Sequence, residues 1–252
     1  MAEALYALAE GLHWSPTTAP RGQFVVMQDR IEASGACLVH HFLALFLKAG
    51  HRVCFLNLAN PIEHYAAVGR KLGVNLTTCI DKRTLRVIDG FRSDVQSLSD
   101  LLALLHQQLD EAAAAGAPFS IVIDDLNTLQ WQFDRQTLVR FLRTCRALSG
   151  ATGEANVVLL HHADAEAGSI RTATSIDGLT ALQSPQLMDM ATVALRVAPL
   201  PSGYCKDVHG TLTVQQMCMG LNGVFDASVS SFKVMENTIK RFAAGGDALR
   251  SL

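Results

Sequence analysis

The sequence predicts an α/β fold: a mostly parallel central sheet with helices on both faces, finished by an antiparallel C-terminal extension. Three observations predict it. Short continuous apolar runs, Gln23–Gln28 (QFVVMQ), Arg52–Leu58 (RVCFLNL), Phe119–Asp124 (FSIVID) and Asn156–His161 (NVVLLH), read as strands buried on both faces. Helix-period segments alternate with them, as a covered parallel sheet requires. After residue 185 the alternation stops, and Ala191–Val197, Gly210–Met217 and Val229–Val234 follow one another with short polar links.

Taken in order, residues 1–20 read as an N-terminal extension before the first strand. Leu38–Ala49 is an apolar helix stopped by Gly50, and Pro61 opens a second helix that runs to Leu72 and is closed by Gly73. Leu85–Asp89 is a third short strand. Ser97–Ala115 is an amphipathic helix with Leu98, Leu101, Leu102, Leu105 and Leu109 on one stripe, capped by Ser97 and ended by Gly116 and Pro118. Arg135–Leu148 is a further helix, capped by Asp134. Residues 163–180 are small and polar and read as a mobile loop. With no internal repeat and no long linker, residues 1–252 read as a single domain.

Composition supports a large core: 49% of the 252 residues are apolar and 17% charged. A net charge of −2 gives no global sign of nucleic acid and leaves a local basic patch open. The six cysteines are scattered without metal-ligand spacing, which reads as reduced thiols. Met1–Gly11 lacks the basic start and long apolar stretch of a secretory signal. No apolar run approaches the ~18–20 residues that span a bilayer. The expected location is therefore cytoplasmic, with the nucleus as a second compartment, and no membrane partner is expected.

The most informative segment lies between the first strand and the first helix. Arg30-Ile31-Glu32-Ala33-Ser34-Gly35-Ala36-Cys37 has the length of a G-x-x-x-x-G-K-[ST] phosphate loop, but only Gly35 matches. Arg30 replaces the first glycine, Ala36 the lysine and Cys37 the hydroxyl residue. Without the lysine and the hydroxyl, the usual contacts to the β/γ-phosphates and Mg²⁺ are gone. Phe119–Asp124 adds a Walker B-like strand ending in Asp124 and Asp125, about 90–100 residues downstream. That order and spacing suit a RecA-like ATPase core with degenerate motifs.

Other chemistries are weaker. Cys37 at a helix N-terminus, with His40 and His41 one turn on, suggests a lowered thiol pKa and a Cys-His nucleophile, but residues so close on one helix rarely align for catalysis. The same three residues lack a fourth metal partner. Neither G-x-S-x-G nor a G-x-G-x-x-G after the first strand is present, which removes the hydrolase elbow and the dinucleotide fingerprint. Arg135, Arg140, Arg143 and Arg146 are expected on one helix face, opposite Leu138, Phe141, Leu142 and Cys145. That face is either solvated or a phosphate-backbone contact. Arg171 in the polar loop is a second candidate for RNA. His162, ending a core strand, is a candidate sensor of a neighbouring subunit's nucleotide. No tyrosine or phenylalanine stacking platform is evident.

Two stretches resemble a known family. One is Leu38–Leu76, with LVHHFLALFLKAGHRVCF and then HYAAVGRKLGVNL; the other is Gly203–Leu212, GYCKDVHGTL. Both resemble the Elongator complex subunit 6 family, and together they span both halves of the chain. The resemblance implies a RecA-like fold without working Walker motifs. It implies assembly with Elongator subunits 4 and 5 into a six-membered ring, two copies of each, that docks on the catalytic Elongator subunits. It implies tRNA binding, nucleotide-dependent tRNA release and support of wobble-uridine (U34) modification. It carries over no catalytic residue, and leaves His40, His41, His64, Tyr65, Asp207 and His209 as packing or interface groups. The expected cofactor state is no nucleotide held by this subunit alone, with ATP at ring interfaces. Two alternatives stay open: a divergent P-loop nucleotide hydrolase, using a lysine such as Lys48 or Lys71 from elsewhere, and a purely structural ring subunit without RNA contact.

Overall fold

The computed structural model describes residues 12–90, 97–150, 155–163, 184–203, 205–218, 223–236 and 238–243. The apolar runs form strands β1 (Phe24–Asp29), β2 (Arg52–Asn57), β3 (Leu85–Asp89), β4 (Phe119–Ile123) and β5 (Ala155–His162). They are followed by β6 (Val193–Ala198), β7 (Gly210–Cys218), β8 (Gly223–Val234) and β9 (Ile239–Ala243). The described strands make one sheet in the order β3-β2-β4-β5-β1-β6-β7-β8-β9.

The change from parallel to antiparallel comes one strand later than expected. β6 pairs parallel with β1, Val25 opposite Val193, and only β7, β8 and β9 are antiparallel. The extension therefore begins at β7. The short link between β6 and β7 allows a reversal, whereas β6 is reached from β5 by a crossover long enough to return parallel.

The helices are α1 (Ala36–Lys48), α2 (Ile62–Lys71), α3 (Leu76–Asp81), α4 (Leu98–Ala114), α5 (Leu126–Gln132), α6 (Arg135–Gly150) and α7 (Ser184–Met188). Alternate residues of β1 face opposite sides, as the pleat requires. Val25 and Met27 pack with α1, α2 and α3, while Phe24 and Val26 pack with α4, α5, α6 and α7. The broad apolar face of α1 lies inside the core: Leu38, Val39, Phe42, Leu43, Leu45 and Phe46 are all buried. Such a helix reads as apolar all round because it is central to its layer.

Four elements lie outside the expected set: α3, α5, α7 and β9. The signals for α3 and α5 are caps. Asn75 Oδ1 accepts the Thr78 N–H, and Asp125 accepts the Asn127 and Thr128 N–H groups. Ser97 and Asp134 cap α4 and α6 as expected. Part of the N-terminal extension is described: Leu12 is buried, and the Trp14 ring meets Phe42 edge-on at 6.2 Å. The 163–180 loop lies outside the described residues apart from Ala163.

The Gly203–Leu212 motif has a packing explanation. Lys233 donates to Asp207 at 2.6 Å, and the Val234 N–H donates to His209 Nδ1 at 3.1 Å, tying the segment to β8. A methyl on Gly210 would lie 2.5 Å from the Ala198 carbonyl oxygen and 3.1 Å from the Phe232 ring. Gly210→Ala is therefore expected to cost about 1–3 kcal/mol by overpacking between the Ala198 backbone and the Phe232 ring. Denaturant unfolding would show it as a lower midpoint. An unchanged midpoint would mean that β6 and β7 tolerate separation there.

Candidate functional site

In an open α/β sheet the ligand crevice lies beyond the carboxyl ends of the parallel strands, where successive connections diverge to opposite faces. Here α1 leaves β1 on one face, and α5 and α6 connect β4 to β5 on the other. The strand ends bring together Asp29, the Asp124-Asp125 pair, His161 and His162.

The degenerate loop does not form an open cradle. Arg30 and Ala33 bridge each other, the Ala33 N–H donating to the Arg30 carbonyl at 2.9 Å, so the chain turns tightly there. Ile31 stands at the tip, 87% exposed, while Ala33 is buried. Gly35 starts α1, and its N–H donates to Asp29 Oδ2 at 2.7 Å. In a phosphate loop such an N–H points at the ligand; here a buried carboxylate of the same chain takes it. A methyl on Gly35 would meet Asp29 Cβ at 3.2 Å, Leu160 at 3.3 Å and Val197 at 3.5 Å, so the turn is packed down on the strand ends. The second Asp29 oxygen is bonded to His162 Nδ1.

Asp124 is equally committed. It is buried and accepts from the Leu58 N–H at 2.7 Å, the Ala59 N–H at 3.1 Å and the Tyr65 hydroxyl at 2.5 Å. Burial pushes its carboxyl above the ordinary aspartate range, opposed by those three donors. Asp125 caps α5 and accepts the Thr128 hydroxyl at 2.7 Å. Asn127 then fastens α5 to β5: its Oδ1 accepts the His162 N–H at 2.8 Å and lies 3.0 Å from His161 Nδ1, while its Nδ2 donates to the His162 carbonyl. Sequence reasoning missed Asn127, although its place two residues after a capping aspartate was a usable signal.

The surroundings of Cys37 do not favour a reactive cysteine, in line with the poor alignment expected from its spacing to the histidines. Burial pushes the Cys37 thiol up to about 12, outweighing the N–H groups of the first helical turn. His40 does not serve it as a base. Its ring packs against His64 and Tyr65 at 5.2 and 4.9 Å, and burial lowers it to about 4, with smaller contributions from His64 and His41. Among the described residues, no group of three or more His, Cys, Asp or Glu side chains is placed to hold a metal ion. Cys37, Cys54, Cys79, Cys145 and Cys205 are free thiols.

The candidate lysines lie away from the loop. Lys48 ends α1 beside Gly73, and Lys71 pairs with Glu236 at 3.1 Å. Nor do the α6 arginines act as one face. Arg140 and Arg143 are exposed, but Arg135 is half-buried, and Arg146 folds down so that its Nη1 donates to Ser149 Oγ at 3.1 Å. Their spacing spreads them over more than a third of the helix circumference, which leaves Arg135 and Arg146 at the edge of the buried face. Arg171 lies outside the described residues. A cleft of about 420 Å³ beside the turn is lined by Glu32, Ser34, Cys37, His209 and Phe232. No described helix is long and apolar enough to cross a membrane.

Comparison with known proteins agrees with this architecture. A solved KaiC-like protein of the archaeon Pyrococcus horikoshii is similar over 96% of this chain and 98% of its own, with a TM-score of 0.57 at 11% identity. That likeness shows a RecA-type fold. Proteins named Elongator complex protein 6 are similar along nearly the whole sequence. The one from Danio rerio is 30% identical over 258 residues, covering 93% of this chain and 95% of its own. The one from Xenopus tropicalis is 30% identical over 256 residues, covering 90% and 92%. The one from Homo sapiens is 26% identical over 261 residues, covering 93% and 95%. The family model for Elongation complex protein 6 matches residues 6–103 and 92–223. With both halves of the sequence matched and a degenerate loop on a RecA-type sheet, the chain belongs to the Elongation complex protein 6 family.

Proposed function

We propose that this chain is a non-catalytic RecA-like subunit of Elongator that assembles with subunits 4 and 5 into a six-membered ring, binds tRNA with it and supports wobble-uridine modification. Family membership makes other Elongator subunits its partners. On this reading the ring holds two copies of each subunit and docks on the catalytic subunits. ATP belongs to the ring interfaces and not to this subunit alone. The protein works in the cytoplasm, with a nuclear pool.

The observation that carries the non-catalytic reading is the Asp29–Gly35 hydrogen bond. A phosphate approaching this loop would meet a carboxylate already holding the glycine N–H, with no lysine to offset its charge. The Walker B-like acid is likewise spent on Leu58, Ala59 and Tyr65. Titration calorimetry of the full chain with Mg²⁺-ATP should show no saturable binding, and saturable Mg²⁺-dependent binding would overturn this reading. Native mass measurement of the chain copurified with subunits 4 and 5 should give a mixed hexamer. A lone monomer with ATPase activity would favour the alternative of a divergent hydrolase.

A further inference from the structure

Gln28 lies near the carboxyl end of β1, 7% exposed, and its Nε2 has no hydrogen-bond partner among the described residues. A buried amide donor left unpaired is costly and calls for a physical explanation. The register of the sheet defines its surroundings. Gln28 stands opposite His161 of β5 on one side and Arg196 of β6 on the other, and Arg196 stands opposite Thr213 of β7. Neighbouring strands run about 4.7–4.9 Å apart, and residues in register share a face of the sheet. That face is the one of Phe24 and Val26, away from α1 and the degenerate loop.

The row is rich in donors. Asn127 Oδ1 is taken up by His161 Nδ1 at 3.0 Å and by the His162 N–H. Gln130 follows Asn127 on the side of α5 that is fastened to β5, and its Nε2 is a second buried amide nitrogen without a partner among the described residues. Arg196 is exposed and has no acidic partner among the described residues. Asp29, next to Gln28 in the chain, points to the opposite face and holds Gly35 and His162, while Asp125 is spent on the cap of α5. Unpaired amide donors beside a guanidinium, with no carboxylate to answer them, match the chemistry that holds an oxyanion. A water would accept from the amide but leave the guanidinium charge unanswered.

We propose that Gln28 and Arg196, with the Thr213 hydroxyl at the rim, form a binding site for a phosphate-type oxyanion. The Gln28 amide donates to one oxygen from within the sheet face. The Arg196 guanidinium, directly opposite on the next strand, closes over the others from the solvent side with its fork of N–H groups. The site is separate from the lost phosphate loop, which lies on the α1 side of the sheet, and it does not rest on ring assembly or on RNA binding. Both contacts are hydrogen bonds to a charged group, so each accounts for about 10- to 150-fold in affinity.

The full chain is titrated with inorganic phosphate at constant ionic strength, with a chloride series beside it. The thermal midpoint should rise saturably with phosphate and stay level in chloride. The Gln28 side-chain amide signals in a heteronuclear spectrum, identified by their loss in Gln28→Met, should shift along the same curve. Arg196→Gln and Gln28→Met should each weaken phosphate about 10- to 150-fold. Arg86→Gln removes an exposed arginine of β3, at the far edge of the sheet, and should leave the affinity unchanged. In chloride, Gln28→Met should melt at the wild-type midpoint or above it, since it removes an unpaired amide and conserves volume. Amide signals that stay in place, phosphate affinity unchanged in Arg196→Gln or Gln28→Met, or an equal loss in Arg86→Gln would overturn the site. So would a lower midpoint of Gln28→Met in chloride, the sign of an amide already satisfied by water. Glycerol phosphate separates the two sources of the ligand: affinity equal to that of phosphate assigns the site to a phosphoryl group on a larger molecule, and binding of phosphate alone assigns it to the free ion.

Discussion

Asp124→Ala is expected to destabilise the chain by about 3–5 kcal/mol, the range for removing one member of a buried charged hydrogen-bond set. Three donors converge on this carboxylate: the Leu58 and Ala59 N–H groups that turn the chain after β2, and the Tyr65 hydroxyl from α2. Alanine leaves all three facing a buried void, and burial has already removed the water that would replace the carboxylate. Asp124→Asn should cost less, because one oxygen remains as acceptor while the amide nitrogen confronts a donor. Tyr65→Phe removes one bond and should cost about 1–2 kcal/mol. Urea unfolding of the three variants should rank them in that order. A magnesium-holding acid would behave differently, since its removal relieves charge and leaves the fold intact. If Asp124→Ala unfolds at the wild-type midpoint, the structural role assigned to this acid is wrong.

Acid is expected to weaken the fold well above the carboxylate range, through two histidines. Burial lowers His51 to about 4, with Arg21 adding to the effect, and lowers His40 to about 4. His51 is buried against Phe46, stacked at 5.1 Å, and its Nδ1 lies 2.8 Å from Ser120 Oγ. Both rings are neutral in the fold, while in the unfolded chain they take up protons near the ordinary value of about 6.5. The unfolded state thus binds more protons between those limits. Their contribution is fully present above pH ~6.5 and is lost as pH falls towards ~4. The two together should account for on the order of 2–4 kcal/mol after discounting for water access. His51→Phe keeps the stack on Phe46 and removes one titrating group, so its stability should fall less steeply over that window. Thermal melts at half-unit pH steps would read this, and parallel curves for both proteins would exclude His51 as a source.

Much of this architecture is written locally. QFVVMQ, FSIVID and NVVLLH are short runs rich in β-branched and aromatic residues, which favours strands covered on both faces, and they form β1, β4 and β5. Ser97 and Asp134 announce helices because a cap is a contact between residues two or three apart. The short helix α5 is harder to read locally, because its capping aspartate also belongs to the Walker B-like strand end. The parallel course of β6 was not legible, since strand direction depends on the length and path of the crossover before it. The exposure of Trp131 on α5 was not legible either, because a tryptophan in a Leu- and Gln-containing segment reads equally as core until the packing direction of its helix is known.

The loss of the phosphate-loop lysine and hydroxyl is a property of the sequence alone, because Ala36 and Cys37 cannot supply that chemistry in any fold. Family membership is equally legible there, through motifs that lie along both halves of the chain. What fills the place of the lost ligand was decided by tertiary structure. Asp29 precedes Gly35 by six positions and reaches its N–H only because the turn at Arg30–Ala33 folds back over the ends of β1, β5 and β6. Asp124 meets Tyr65 across 59 positions because β2 and β4 are neighbours in the sheet. Residue type limits which bonds a side chain can form. Which donor it meets depends on chain segments brought together by burial, and that information is not local.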